Sequence, residues 1–165
     1  MSRVSLVRFK SPTWSCLVRA AVVTALLALP ACGDDSGDDG PTHPEACEAA
    51  DTLAPNLSKT GSAGITVTIV EATPAVPGIN MDNVWNVRVT DSSGTAVEGA
   101  TLQMDQDMPA HGHGVPRQAI STEQGGGLYE LEPILFTMDG LWTVPIDVTK
   151  GELRDRALFE LCIGE

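Results

Sequence analysis

The chain has 165 residues, only 4% of them aromatic, and a formal net charge of −12 at pH 7. This length is enough for one hydrophobic core beside a targeting segment. The acidic balance repels phosphate backbones and anionic lipid headgroups, which argues against nucleic acid as a partner.

The N-terminus has the architecture of an export signal. Four basic side chains precede an uncharged, largely apolar run at residues 20–31 (AAVVTALLALPA). Twelve helical residues extend about 18 Å, too short to cross about 30 Å of hydrocarbon, so the run predicts a signal peptide. It ends in residues 29–32 (LPAC), which resemble the bacterial lipobox. We expect lipidation of Cys32; ordinary secretion with Cys32 as a plain thiol is the alternative.

An acidic segment separates this signal from the rest of the chain. Residues 33–46 (GDDSGDDGPTHPEA) contain four Asp and no large apolar residue. Such a composition predicts a flexible tether, with a reach of about 20 Å, and His43 as a solvated linker residue. We therefore expect a lipoprotein signal peptide at 1–31, a lipidated tether at 32–46 and a folded domain at 47–165. The protein would be anchored in a bacterial cell envelope, periplasmic or surface-facing, with an envelope protein as a possible partner.

Cysteine usage agrees with export. Cys16 leaves with the signal peptide and Cys32 would carry lipid, so two of the four cysteines remain. These are Cys47 and Cys162, near the two ends of the expected domain. In an oxidising compartment such a pair predicts a disulfide. The mature chain keeps six Lys and Arg against 22 Asp and Glu, a balance of −16.

The domain is predicted to be all-β. Alternating apolar residues and Gly- or Asp-containing turns recur without a convincing helical pattern, which favours an immunoglobulin-like β-sandwich of about seven strands. Pro145 cannot donate to a central ladder, so an edge or a bulge is expected there. Residues 47–64 could begin with a short helical turn. The seven predicted strands are 65–71, 84–90, 97–104, 118–123, 128–136, 141–149 and 156–163.

The most distinctive stretch is residues 104–114 (MDQDMPAHGHG), which combines two Met, two His and two Asp. Pro109, Gly112 and Gly114 exclude a helix, so we expect a loop between strands. His111 and His113 are two residues apart, a spacing that places both imidazoles on one side of an extended segment.

This loop carries a resemblance to a known family. A strand followed by MPAHGHG, and a closing hairpin at residues 136–142 (FTMDGLW), resemble the YtkA-like family of small exported β-sandwich domains, and are similar to FixH-like proteins. The resemblance covers roughly residues 64–149, with His111 at a loop position where the family usually has Met. It implies the fold and the exported location, and an association with copper handling.

Thioether and imidazole are the ligand types that suit copper in an exported protein. Met104, Met108, His111 and His113, together with Met138 before Trp142, form the predicted copper site.

Several alternatives to copper binding remain at this point. Zinc held by the imidazoles with Asp105 or Asp107 is the second metal candidate. Met104 falls on a core-facing register and Met138 could simply pack one end of the sandwich. A non-metal structural or protein-interaction module is the third possibility. An enzyme is not expected, because no free cysteine nucleophile, Gly-x-Ser-x-Gly or His-Glu-x-x-His motif is present and nothing selects Ser121 as a partner for His111.

Overall fold

The structure is a computed structural model that describes residues 47–164. The signal peptide, Cys32 and His43 lie outside the described residues. The described chain forms ten β-strands and essentially no helix. The strands are β1 Leu57–Thr60, β2 Thr66–Thr73, β3 Asn83–Thr90, β4 Thr101–Met104, β5 Asp107–Met108, β6 His113–Gly114, β7 Ile120–Gly125, β8 Leu128–Ile134, β9 Gly140–Lys150 and β10 Leu153–Ile163.

The strands form two antiparallel sheets. One has the order β1-β2-β3-β8-β7; the other has the order β10-β9-β5-β6, and β4 also pairs with β9. If β1 is set aside, β2-β3-β8-β7 and β10-β9-β4 reproduce the A-B-E-D and G-F-C sheets of a constant-type immunoglobulin domain. The predicted all-β sandwich is confirmed. The three strands beyond seven are β1 and the short pieces β5 and β6.

Strand alternation produces the core between the sheets. In β3, Trp85, Val87 and Val89 are fully buried while the residues between them are not. Every second residue of β9 is buried in the same way, including Val144 and Ile146. Side chains of successive residues point to opposite faces of a strand, so each sheet contributes one apolar face to the core.

Pro145 lies in the interior strand β9, not on an edge. Its partner on β10 is Leu158, and on the other side its carbonyl accepts a hydrogen bond of 3.3 Å from Asp105 N. The carbonyl and the nitrogen of a strand residue point to the same side. The Pro145 nitrogen, which carries no hydrogen, therefore points toward the break between β4 and β5. The expected irregularity is therefore in the neighbouring strand.

The two ends of the sandwich differ in the way they are fastened. A disulfide joins Cys47 to Cys162, with Cα atoms 5.5 Å apart, next to the first residues of β9. At the opposite end, the Asp155 carboxylate accepts hydrogen bonds from Ala63 N at 3.1 Å and Ile65 N at 2.9 Å. We call this second end, with turns 61–65, 91–95 and 125–127, the clamp end.

Candidate functional site

The histidine segment is a small hairpin, not an open loop. Met108 in β5 pairs with His113 in β6, and the carbonyl of Met108 accepts hydrogen bonds from His111 N at 3.0 Å and Gly112 N at 2.9 Å. Gly112 closes the turn with a φ of 63°, a left-handed conformation that favours glycine. The hairpin extends from β9, where Asp107 pairs with Thr143.

The hairpin presents two exposed imidazoles. The ring centroids of His111 and His113 are 5.8 Å apart, with 51° between the planes. An ion about 2 Å from one nitrogen of each ring would place the centroids roughly 5 to 6 Å apart, so the spacing fits a shared ion. His111 lies in the turn, so the extended segment expected from the His-x-His spacing is wrong, although the two rings do come together.

One imidazole has a defined local partner. His113 Nδ1 lies 3.2 Å from the carbonyl oxygen of Gly114. When Nδ1 carries the proton and donates to this carbonyl, the lone pair is on Nε2 and is available to a metal. Within residues 47–164, the His111 ring has no hydrogen-bond partner.

Trp142 joins the hairpin to the segment that follows β8. The His113 ring stands edge-on to the Trp142 ring, with centroids 6.4 Å apart and an interplanar angle of 74°. Trp142 Nε1 donates a 3.1 Å hydrogen bond to the carbonyl of Met138, and its ring also contacts Phe136 at 5.5 Å. This fully buried indole therefore fixes the positions of His113 and of residues 136–138 relative to each other.

The predicted methionine ligands occupy two different environments. Met104 and Met108 belong to the core and are 1% and 2% exposed. Met138 is 37% exposed and lies in the segment that Trp142 holds. The structure thus brings His111, His113 and Met138 to one accessible end and places Met104 and Met108 inside the sandwich. We call this end, with loops 74–82, 109–112 and 135–139, the donor end.

The carboxylates near the hairpin form no site with the imidazoles. Gln118 Nε2 donates a 3.1 Å hydrogen bond to Asp105 Oδ1. No group of three or more His, Cys, Asp or Glu side chains within residues 47–164 is arranged to hold a metal. The described residues therefore contain no preassembled set of the kind that zinc requires.

Sequence reasoning missed one exposed methionine, Met81, which is 47% exposed on loop 74–82. Asp82 beside it forms an ion pair of 2.8 Å with Arg117, just after the hairpin. Met81 precedes the hairpin by about thirty residues and belongs to no local motif, so the sequence contains no signal that would place it there.

The fold and this end define a class of protein: an immunoglobulin-like sandwich with a histidine-bearing hairpin. The YtkA-like family model matches residues 59–147, more than half of the chain. The chain belongs to the YtkA-like family, and the resemblance in its sequence is confirmed. No curated protein and no solved structure matches the chain significantly. No helix within residues 47–164 has the length and hydrophobicity needed to cross a membrane.

Proposed function

We propose that this YtkA-like protein is an exported domain that binds a copper ion through His111 and His113 at the donor end. The observation that supports this proposal is the pair of exposed imidazoles 5.8 Å apart, one of them held against Trp142. Nothing in the proposal requires catalysis.

The available donors fit copper better than they fit hard cations. Imidazole binds both oxidation states of copper, and thioether favours Cu(I). Calcium and magnesium require several oxygen ligands, and the described residues bring no group of three carboxylates together. Two imidazoles leave further coordination positions, which water or a thioether at the same end would fill.

The first test compares three forms of the mature, tag-free protein. The double variant His111→Ala, His113→Ala should lose Cu(II) affinity at least 100-fold in a chelator competition, since both ring ligands are removed. Asp105→Asn is the matched control, because it removes a charge from the same segment and keeps both imidazoles. Its affinity should stay within about threefold of the parent protein.

Two results would contradict the proposal. If the double histidine variant binds Cu(II) as the parent does, the imidazoles are not ligands. If the parent protein shows no stoichiometric binding, the hairpin is a structural turn in an interaction module. Acidification offers a further check, because protons compete with copper for imidazole and not for thioether. Cu(II) affinity should therefore fall more than Cu(I) affinity as the pH is lowered.

The second part of the proposal is a lipid anchor at Cys32. It rests on the LPAC sequence and the acidic tether that follows it. In a bacterial host, Cys32→Ala should move the protein from the membrane fraction into the soluble envelope or culture fraction. The mature N-terminus of the parent protein should be Cys32, as shown by mass spectrometry. A mature chain that begins elsewhere would contradict the anchor without affecting the copper site.

A further inference from the structure

The four methionines of the described chain divide evenly between core and surface. Met104 and Met108 are buried, while Met81 and Met138 are 47% and 37% exposed. Both exposed methionines belong to the donor end, where the two exposed imidazoles also lie. Met is flexible and its thioether is polarizable, so both side chains can adapt to a ligand at this end.

Loop 74–82 is held in place by a buried side chain. Asn83, which is fully buried, accepts a hydrogen bond from Gly78 N and donates to the carbonyls of Gly78, Met81 and Ile134. The amide of Asn80 also donates to the carbonyl of Phe136 at 2.8 Å. Met81 is therefore attached to the segment that follows β8.

The thioether of Met81 packs at a defined position on this loop. A Cβ atom on Gly78 would collide with Met81 Sδ, so the sulfur lies directly over a residue without a side chain. The residues on both sides of Met81 form hydrogen bonds: Asn80 N donates to the carbonyl of Phe136, and Asp82 accepts from Arg117.

Met138 is held by the same segment. Met138 lies two residues after Phe136, and its carbonyl accepts the hydrogen bond from Trp142 Nε1. A Cβ atom on Gly164 would lie 3.1 Å from Ile79 Cδ1 and 2.8 Å from Asp139 Cβ, so loops 74–82 and 135–139 flank the same residue. The backbones on both sides of the two exposed thioethers are thus tied together.

From this arrangement we propose that Met81 and Met138 form a thioether site for Cu(I) beside the histidine pair. The proposal rests on the proposed copper function and assigns the reduced ion to sulfur and the oxidised ion to nitrogen. Thioethers are soft, uncharged ligands that select Cu(I), whereas Cu(II) prefers imidazole. Met81 replaces the buried Met104 and Met108 as the thioether partner of Met138.

The test uses the mature, tag-free protein with Cu(I) under anaerobic conditions in a competition assay, and Ag(I) as a redox-inert probe. The double variant Met81→Leu, Met138→Leu should lose at least tenfold in Cu(I) affinity and much less in Cu(II) affinity. Met104→Leu is the matched control, because it removes a buried sulfur and conserves side-chain volume. Its Cu(I) affinity should equal that of the parent protein.

A spectroscopic measurement on the parent protein tests the same inference without depending on how well the double variant folds. In parent protein labelled with [methyl-13C]methionine, Ag(I) should shift the methyl resonances of Met81 and Met138 and leave those of Met104 and Met108 in place. Two results would overturn this inference and leave the histidine site intact. One is a shift of the methyl resonances of the buried Met104 and Met108. The other is an unchanged Cu(I) affinity in the Met81/Met138 variant that still binds Cu(II). If the parent protein binds neither oxidation state, the copper function itself fails.

Discussion

The clamp end and the donor end of this sandwich use their functional groups in opposite ways. At the clamp end, carboxylates are occupied by backbone amides. Asp91 Oδ1 accepts from Ser93 N and Thr95 N, and Glu98 and Glu123 accept from glycine amides of neighbouring turns. At the donor end, His111, His113, Met81 and Met138 are exposed residues, and the polar anchoring is done by backbone carbonyls, Asn83 and Trp142.

The pKa values of the clamp carboxylates follow from these bonds. Burial raises the pKa of Asp155, but hydrogen bonds from the amides of Ile65, Ala63 and Arg156 lower it by more, and the net pKa is below the usual range. The Ser93 hydroxyl and the amides of Thr95 and Ser93 lower the pKa of Asp91. The comparison teaches that acidic composition alone does not locate a cation site, because these charges stabilise turns.

The largest expected effect comes from the disulfide that fastens the donor end. Cys47 and Cys162 are 115 residues apart in sequence, so the bond removes much of the entropy of the unfolded chain. Reduction should lower the free energy of unfolding by up to about 5 kcal/mol. Urea unfolding with and without a reductant measures this change in the free energy of unfolding. An unchanged midpoint would show that the noncovalent contacts hold this end by themselves.

The buried and exposed methionines should respond differently to truncation. Met108→Ala leaves a cavity in the core and should cost between about 2 and 5 kcal/mol of stability. Met138→Ala removes a partly exposed side chain and should change stability by less than about 1 kcal/mol. Equal losses in thermal unfolding would contradict the division of the methionines into core and surface groups.

The clamp at Asp155 should make stability depend on pH. Because the folded pKa is below the unfolded value of about 3.9, the contribution is complete above that pH and is lost as the pH falls through the folded pKa. Asp155→Asn should cost about 2 to 3 kcal/mol at pH 7, since it weakens charged hydrogen bonds in a buried site. The difference between variant and parent protein should shrink below about pH 4.

Two variants sharpen this result. Asp147→Asn is the matched control: the hydrogen bond from Arg156 lowers the pKa of Asp147, but this ion pair is on the surface and should contribute less than about 1 kcal/mol. Gly61→Ala tests the clamp from the residue that faces Asp155, because the added Cβ would collide with the Asp155 carboxyl. A loss as large for Asp147→Asn as for Asp155→Asn would contradict the assignment of the clamp.

The smallest expected effect on stability is at the hairpin tip. His111→Ala with His113→Ala removes two exposed side chains and should change the free energy of unfolding of the metal-free protein by less than about 1 kcal/mol. A loss above 2 kcal/mol would mean that the edge contact between His113 and Trp142 supports the fold. Thermal unfolding in the presence of a chelator provides the measurement.

The sequence was sufficient for the fold because strand alternation is local information. Trp85, Val87 and Val89 predict their strand and their buried face without knowledge of the partner strands. β1 was missed because residues 57–60 (LSKT) are short and mostly polar, and β5 and β6 because two-residue strands have no periodicity.

The candidate site was only partly predictable for the opposite reason. The His-x-His pair lies within one motif, whereas loop 74–82 joins the site through the hydrogen bond from Asn80 N to the carbonyl of Phe136, more than fifty residues later. Such long-range partners leave no trace in a single sequence. The burial of Met108 likewise depends on how β5 packs against the core.

The central claim is that the two imidazoles of the donor end bind one copper ion. Pulsed electron paramagnetic resonance of the mature, tag-free protein with one equivalent of Cu(II) tests it directly, because the remote nitrogen of a coordinated imidazole gives its own modulation. We predict modulation from two imidazoles, reduced to one in His111→Ala and absent in the double histidine variant. A spectrum without imidazole modulation, or one that the double variant leaves unchanged, would contradict the claim.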